Sequence, residues 1–305
     1  MNIIALFTEL IPCLFIGYLL GRFNEGLSII ISRPLIRFGM PISIMGLLLR
    51  AGIEFRLIQA GFIALIVIIL SVIIYTRITK FSEHLESNSL LLGSIFGNTG
   101  YIGIPISIAL LPSECIKYSV GFDIGATLII WSLGPSILSQ NNYQFKYLKD
   151  SIKQLTKSPA FCGLLGAIFI QLTPFSNQIS LILWIPSRII ISLAIVVAGI
   201  RIGSTNTRGS KSIKTRFINI KNSFFSKLIY FPIITILISS IIKIPNLMTK
   251  ALVLQSATPT AISILLLSEA NSRKDHEKVS DLFIFTTTAS ILTIPMWSLI
   301  LNHKI

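Results

Sequence analysis

Ten runs of mostly apolar residues, each near the length of a membrane-crossing helix, alternate along this chain with short polar connections. A helix needs about 20 such residues to cross the hydrocarbon of a bilayer. The runs fall at 3–20, 29–49, 57–75, 89–111, 118–138, 159–173, 179–200, 224–242, 248–268 and 279–301. A soluble fold could not bury so much apolar surface: 52% of the 305 residues are hydrophobic and only 12% are charged. Soluble domains carry about 25% charged residues. The chain therefore reads as an all-α integral membrane protein, not as a soluble enzyme, a disordered tail or a nucleic-acid-binding domain. Little length is left over for a separate soluble domain. The first run has no basic segment before it, holds Glu9 and lacks a small-residue cleavage site, so it is read as a span rather than a cleavable leader.

Where the charges fall decides what they mean. The connections after odd-numbered runs hold 18 of the 26 lysines and arginines, a count that assigns Arg33 to the connection before run 2 and Lys227 to the connection before run 8. The remaining connections and the C-terminal tail hold 6, Lys250 being counted with the connection before run 9, and Arg37 and Arg188 lie within runs. Basic residues gather on the cytoplasmic side, so both termini are placed outside, with the protein in the plasma (inner) membrane. The net charge of +14 then reflects topology and contact with anionic lipid headgroups, and no nucleic-acid partner is expected. The most basic connections are 139–158 and 204–222. The second holds a Gly-Ser-Lys-Ser run at 209–212 without phosphate-loop spacing. Cys13, Cys115 and Cys162 have no metal or redox spacing and read as small apolar residues. No histidine lies inside a run, and neither a serine-nucleophile nor a zinc-protease motif occurs. No metal, cofactor or enzymatic chemistry is expected.

The runs repeat. Lys117, Ser119, Phe122 and Thr127 of run 5 recur as Lys278, Ser280, Phe283 and Thr288 of run 10, and Pro135 is followed by Pro295. Arg37 and Arg50 around run 2 recur as Arg188 and Arg201 around run 7. Five spans per half is an odd number, so the halves cross in opposite directions. The expectation is two inverted five-helix repeats, 1–138 and 159–305, joined by a cytoplasmic linker at 139–158. Two halves that exchange roles provide inward-open and outward-open states of similar energy.

Runs 4 and 9 are interrupted. Run 4 holds Gly97-Asn98-Thr99-Gly100-Tyr101-Ile102-Gly103-Ile104-Pro105, and run 9 holds Ser256-Ala257-Thr258-Pro259-Thr260. Proline removes a helix donor and glycine loosens the backbone. Unwound backbone at membrane depth persists only inside protein or beside a water-filled cavity. The run 5 to run 10 offset sets Asn98 on Pro259. Matched interruptions in two halves point to a transporter binding site, where half-helix N-termini aim N–H groups at an anion. Asn98, Thr99, Gly100, Thr258, Pro259 and Thr260 are the candidate substrate-binding residues, and Gly97, Gly103 and Pro105 the candidate helix-break residues. The plainer alternative is a pair of kinked helices packed closely through their glycines.

A charge in hydrocarbon costs at least about 2.5 kcal/mol. Asp123, between Gly121 and Gly125, is the candidate for coupling transport to a proton or sodium ion; the alternative is a carboxylate near the outer interface. Glu9 reads as structural. Arg188 can pair with a carboxylate, or snorkel to a headgroup as Arg37 does.

The Asn-Thr-Gly-Tyr-Ile-Gly-Ile-Pro run at 98–105, the Ala-Thr-Pro-Thr-Ala run at 257–261 and the Thr286-Thr287-Thr288 cluster resemble the auxin efflux carrier family, which includes bacterial malate permeases and plant PIN carriers. The resemblance implies a fold similar to bile-acid symporters and sodium/proton antiporters. Helices 4 and 9 would cross at their breaks, helices 1, 2, 6 and 7 would form an often dimeric scaffold, and helices 3–5 and 8–10 a moving transport unit. It also implies organic-anion substrates. Plant PINs place proline at both crossings, whereas here Asn98 is followed by Thr99 and the proline comes at Pro105; the short 139–158 connection likewise fits a bacterial-type carrier. The functional expectation is a permease that moves a small organic anion by alternating access, with a channel or passive pore as the alternative.

Overall fold

The computed structural model describes residues 11–24, 26–77, 87–139, 156, 159–205, 212–269 and 273–304. The expectations for Glu9 and most of the 139–158 linker lie outside them. The chain is all-helical: α1 (Ile11–Phe23), α2 (Leu27–Pro34), α3 (Met40–Ala51), α4 (Phe55–Arg77), α5 (Asn88–Ile95), α6 (Ile104–Leu110), α7 (Ile116–Ser139), α8 (Pro159–Gln171), α9 (Ser176–Thr205), α10 (Ile213–Ile218), α11 (Lys221–Phe225), α12 (Phe231–Ile242), α13 (Asn246–Ser256), α14 (Ile262–Glu269) and α15 (Arg273–Lys304). Among the described residues, β structure is limited to one isolated bridge.

By length and composition, four described helices can cross a membrane: Phe55–Arg77, Ser176–Ser204, Lys221–Ile242 and Asp275–Asn302. Ile11–Phe23, Thr99–Leu110 and Phe161–Gln171 are shorter apolar helices. Runs 4 and 9 are each divided into two short helices, which is why neither reaches spanning length as one helix.

Three wide π turns, Leu35–Gly39, Thr99–Gly103 and Ser226–Tyr230, share a cause. Each is followed, two residues on, by a proline: Pro41, Pro105 and Pro232. Proline brings no N–H to the carbonyl four residues back and its ring crowds that carbonyl, so the preceding turn widens. The carbonyl that Pro232 frees is met from outside, and the Ser226 carbonyl, already bonded to the Phe231 N–H, takes a second donor. Pro232 cannot donate to the Leu228 carbonyl, and Trp297 Nε1 donates to it instead at 2.9 Å. The Tyr75 hydroxyl donates to the Ser226 carbonyl at 3.2 Å.

Lipid tails are as apolar as leucine, so helices in a membrane gain most from close backbone approach. α1 lies against α9 through Gly17, Gly21, Gly199 and Gly203; a Cβ at any of the four would overlap a carbonyl oxygen of the partner helix. α4 meets α7 through Gly61, Gly121 and Gly125, the last of which would bring a Cβ within 3.1 Å of the Gly61 backbone. Two apolar clusters result. One joins α4, α5, α7 and α12–α15. The other is built on α1, α3, α8 and α9 and takes in α6 together with further residues of α4, α7, α13 and α15. Run 4 therefore passes from one cluster to the other at its interruption.

Candidate functional site

The two interruptions meet. α5 ends at Ile95, and Phe96 turns to extended backbone. α13 ends at Ser256, and the chain resumes helix at Ile262. Between them, Gly97 and Thr260 form the antiparallel bridge. The Asn98 N–H donates to the Pro259 carbonyl at 2.7 Å, and the Ala261 N–H to the Phe96 carbonyl at 3.0 Å. Backbone groups that neither helix can satisfy at membrane depth are thus satisfied by the other break.

The candidate substrate residues are gathered here, but most of their hydroxyls are already committed. Thr258 Oγ1 donates to the Gln255 carbonyl at 2.7 Å, and Thr260 Oγ1 to the Gly93 carbonyl at 2.9 Å. The Thr260 N–H goes to Thr286 Oγ1 at 3.2 Å. Thr99 Oγ1 donates to the Asp123 carboxylate. Asp123 lies two turns into α7, is buried, and packs beside Gly100, where a Cβ would stand 3.4 Å from Oδ1. Its place is the N-terminal end of the Thr99–Gly103 turn, the positive end of a half-helix.

Asn98 differs from the threonines. Its carbonyl accepts from the Ile102 and Gly103 N–H groups, both at 3.1 Å. Its side-chain Nδ2 is buried and donates to nothing among the described residues. An unmet buried amide donor costs about 1–3 kcal/mol, so it is a group poised for an acceptor. Gly103 faces the Gln255 side chain, whose Oε1 is also unmet, while Nε2 donates to Ser107 Oγ at 3.1 Å. Pro105 sits in the first turn of α6, not at the point where the chain leaves helical geometry. It lines a cavity of about 260 Å³ between α6 and α9, together with Ile108, Arg188, Ile191, Ser192 and Ile195. Arg188 also stands 5.8 Å from the Trp184 ring, which Arg50 covers at 3.9 Å. Arg37 is exposed and points along Phe38.

Sequence reasoning missed Lys227 and Gln255. Lys227, counted with a cytoplasmic connection, is fully buried in the Ser226–Tyr230 turn. Its Nζ donates to the Ser256 carbonyl at 2.7 Å and the Ile95 carbonyl at 3.4 Å. The available signal was its position inside run 8, with Leu228 and Ile229 directly after it.

A family model described as membrane transport protein matches residues 14–298. An uncharacterized transporter of Methanocaldococcus jannaschii is 27% identical over 240 residues, covering 76% of this chain and 74% of its own. An uncharacterized transporter of Methanothermobacter thermautotrophicus is 23% identical over 212 residues, covering 70% and 67%.

Proposed function

The chain belongs to the membrane transport protein family, that of the auxin efflux and PIN-like carriers, and from this premise we propose that it is a permease carrying a small organic anion by alternating access. The observation that carries the reading is the crossing. Two interrupted helices are held backbone to backbone, and a buried Asn98 amide beside the bond has no acceptor among the described residues. A carboxylate supplies that acceptor. The cavity between α6 and α9 adjoins the same half-helix and holds Arg188, which suits an anion with an apolar body. Thr99, Gly100, Thr258, Pro259 and Thr260 shape the crossing through their backbone more than their hydroxyls. Gly97 and Gly103 allow the approach of Thr258 and Gln255.

The transport unit is formed by helices 3–5 and 8–10 and the scaffold by helices 1, 2, 6 and 7, as two inverted repeats of ten spans with both termini outside. The gathering of α1, α3, α8 and α9 in one apolar cluster, with no described core residue of theirs in the other, supports this. So does the packing of α9 on α1 and of α8 on α3, which an exchange of halves interconverts. Asp123 is the coupling group. Ionised, it holds the N-terminal end that an incoming carboxylate also favours, so a proton on Asp123 makes room for the substrate. The scaffold forms a homodimer.

The test is flux of labelled malate and indole acetate into liposomes, with Asn98→Ala as the variant. Saturable flux without single-channel currents, lost in a well-folded Asn98→Ala protein, is the expected result. Normal transport by that variant overturns the site, and unitary currents overturn the carrier.

A further inference from the structure

Lys227 is a fully buried charge that the proposed transport cycle leaves unused. Its two hydrogen-bond acceptors are special: Ile95 and Ser256 are the last residues of α5 and α13, the first halves of both interrupted runs. In a continuous helix the Ser256 carbonyl would accept from the Thr260 N–H, which here goes to Thr286. A helix C-terminus carries roughly half a negative charge, so two converging ends match one monovalent cation. The ammonium also lies 4.5 Å from the centroid of the Phe231 ring. No carboxylate touches it among the described residues; Asp123 lies on the other flank of the break, at Thr99 and Gly100. The Ser226–Tyr230 turn that aims the lysine is held by Tyr75 and Trp297.

We infer that Lys227 is a tethered cation filling a monovalent-cation position made by the two half-helix C-termini, so that the carrier takes its anion without sodium. The position is real whatever is transported; the statement about sodium rests on the carrier reading. A lysine cannot dissociate, so the position stays filled whichever way an ion gradient points.

The experiment follows the thermal midpoint of the purified protein in detergent and malate flux in liposomes, with choline replaced by sodium or methylammonium. Neither ion moves the wild-type midpoint, and sodium leaves wild-type flux unchanged. Lys227→Ala opens the position; its midpoint falls by at least about 4 °C and rises again with methylammonium or sodium. Lys227→Met keeps the stem without the charge, so its midpoint falls as well but neither ion restores it. The inference is overturned if Lys227→Met matches wild type, if neither ion raises Lys227→Ala, or if sodium shifts the wild-type midpoint or flux. Should Lys227→Ala fail to fold, the methionine variant and the wild-type sodium comparison still decide. A wild type that carries neither anion counts against the proposed function, while the midpoints still judge the cation position.

Discussion

Gly97→Ala tests whether the backbone contact between the two breaks holds the molecule together. A Cβ at Gly97 would overlap Thr258 Oγ1 and stand 3.0 Å from Lys227 Nζ and 3.4 Å from the Gln255 carbonyl oxygen. Thr258 cannot swing aside freely, because its hydroxyl is bonded to that same carbonyl at 2.7 Å. The added methyl must therefore push the two runs apart. Overpacking of this kind costs about 1–3 kcal/mol. Losing one of the two flanking bonds, Asn98 to Pro259 or Ala261 to Phe96, strands a buried backbone group at about 1–3 kcal/mol more. The sum is about 2–6 kcal/mol, which lowers the thermal midpoint by about 6 °C at its middle value. The assay is a thermal-shift measurement in detergent, with flux in liposomes alongside. Gly26→Ala is the control, since a Cβ there meets only Asn24 Oδ1, at 3.4 Å. A Gly97→Ala protein with the control's midpoint and normal flux would refute the reasoning.

Three further outcomes are expected. Asp123→Asn keeps a polar partner for Thr99 but cannot alternate in charge; exchange of labelled malate across equal concentrations persists, while accumulation driven by a proton gradient disappears, and an unchanged gradient response sinks the coupling role. Gly199→Leu wedges α1 from α9, where even a Cβ overlaps the Leu14 carbonyl oxygen and lies 3.0 Å from Gly17 Cα; the monodisperse fraction in size exclusion drops, and full recovery of dimensions and yield contradicts the packing account. Glu54, exposed after α3, pairs with the buried Lys117 at 2.7 Å, whose hydrogen bond and charge hold the Glu54 carboxyl below its usual range. A depressed folded-state value gives stability that is present above the unfolded value and lost as pH falls through the folded one. The small midpoint gap between wild type and Glu54→Gln thus closes as pH drops below about 4, and a gap that widens in acid would reverse the sign.

How much of this was readable beforehand depends on whether the feature is local. Run 4 breaks where glycines crowd together and run 9 at Pro259, because glycine loosens the backbone and proline forfeits a helix bond within its own turn. The repeat offset set Asn98 on Pro259, and these two residues share a backbone hydrogen bond in the fold. Gly121 and Gly125, which flank Asp123 in sequence, meet α4 at Leu57 and Gly61. The hydroxyl partners were not legible. Thr99, Thr258 and Thr260 look alike in sequence as ligand donors, yet one bonds a carboxylate on α7, one its own helix, and one the Gly93 carbonyl on α5.

Lys227 marks the limit most clearly. Near the start of an apolar run, a lysine reads equally well as a loop residue or a buried one. Its depth depends on a π turn caused by Pro232, and its partners come from chain positions 95 and 256. What the amino-acid sequence determined alone is the class: all-helical, membrane-embedded, interrupted twice. Apolar length, charge bias and helix breaking add up along the chain, residue by residue. What only the tertiary structure decided is which donors and charges are used up and which remain open. That depends on how helices distant in sequence come to face one another, and it leaves the Asn98 amide open and the two half-helix ends closed by one ammonium.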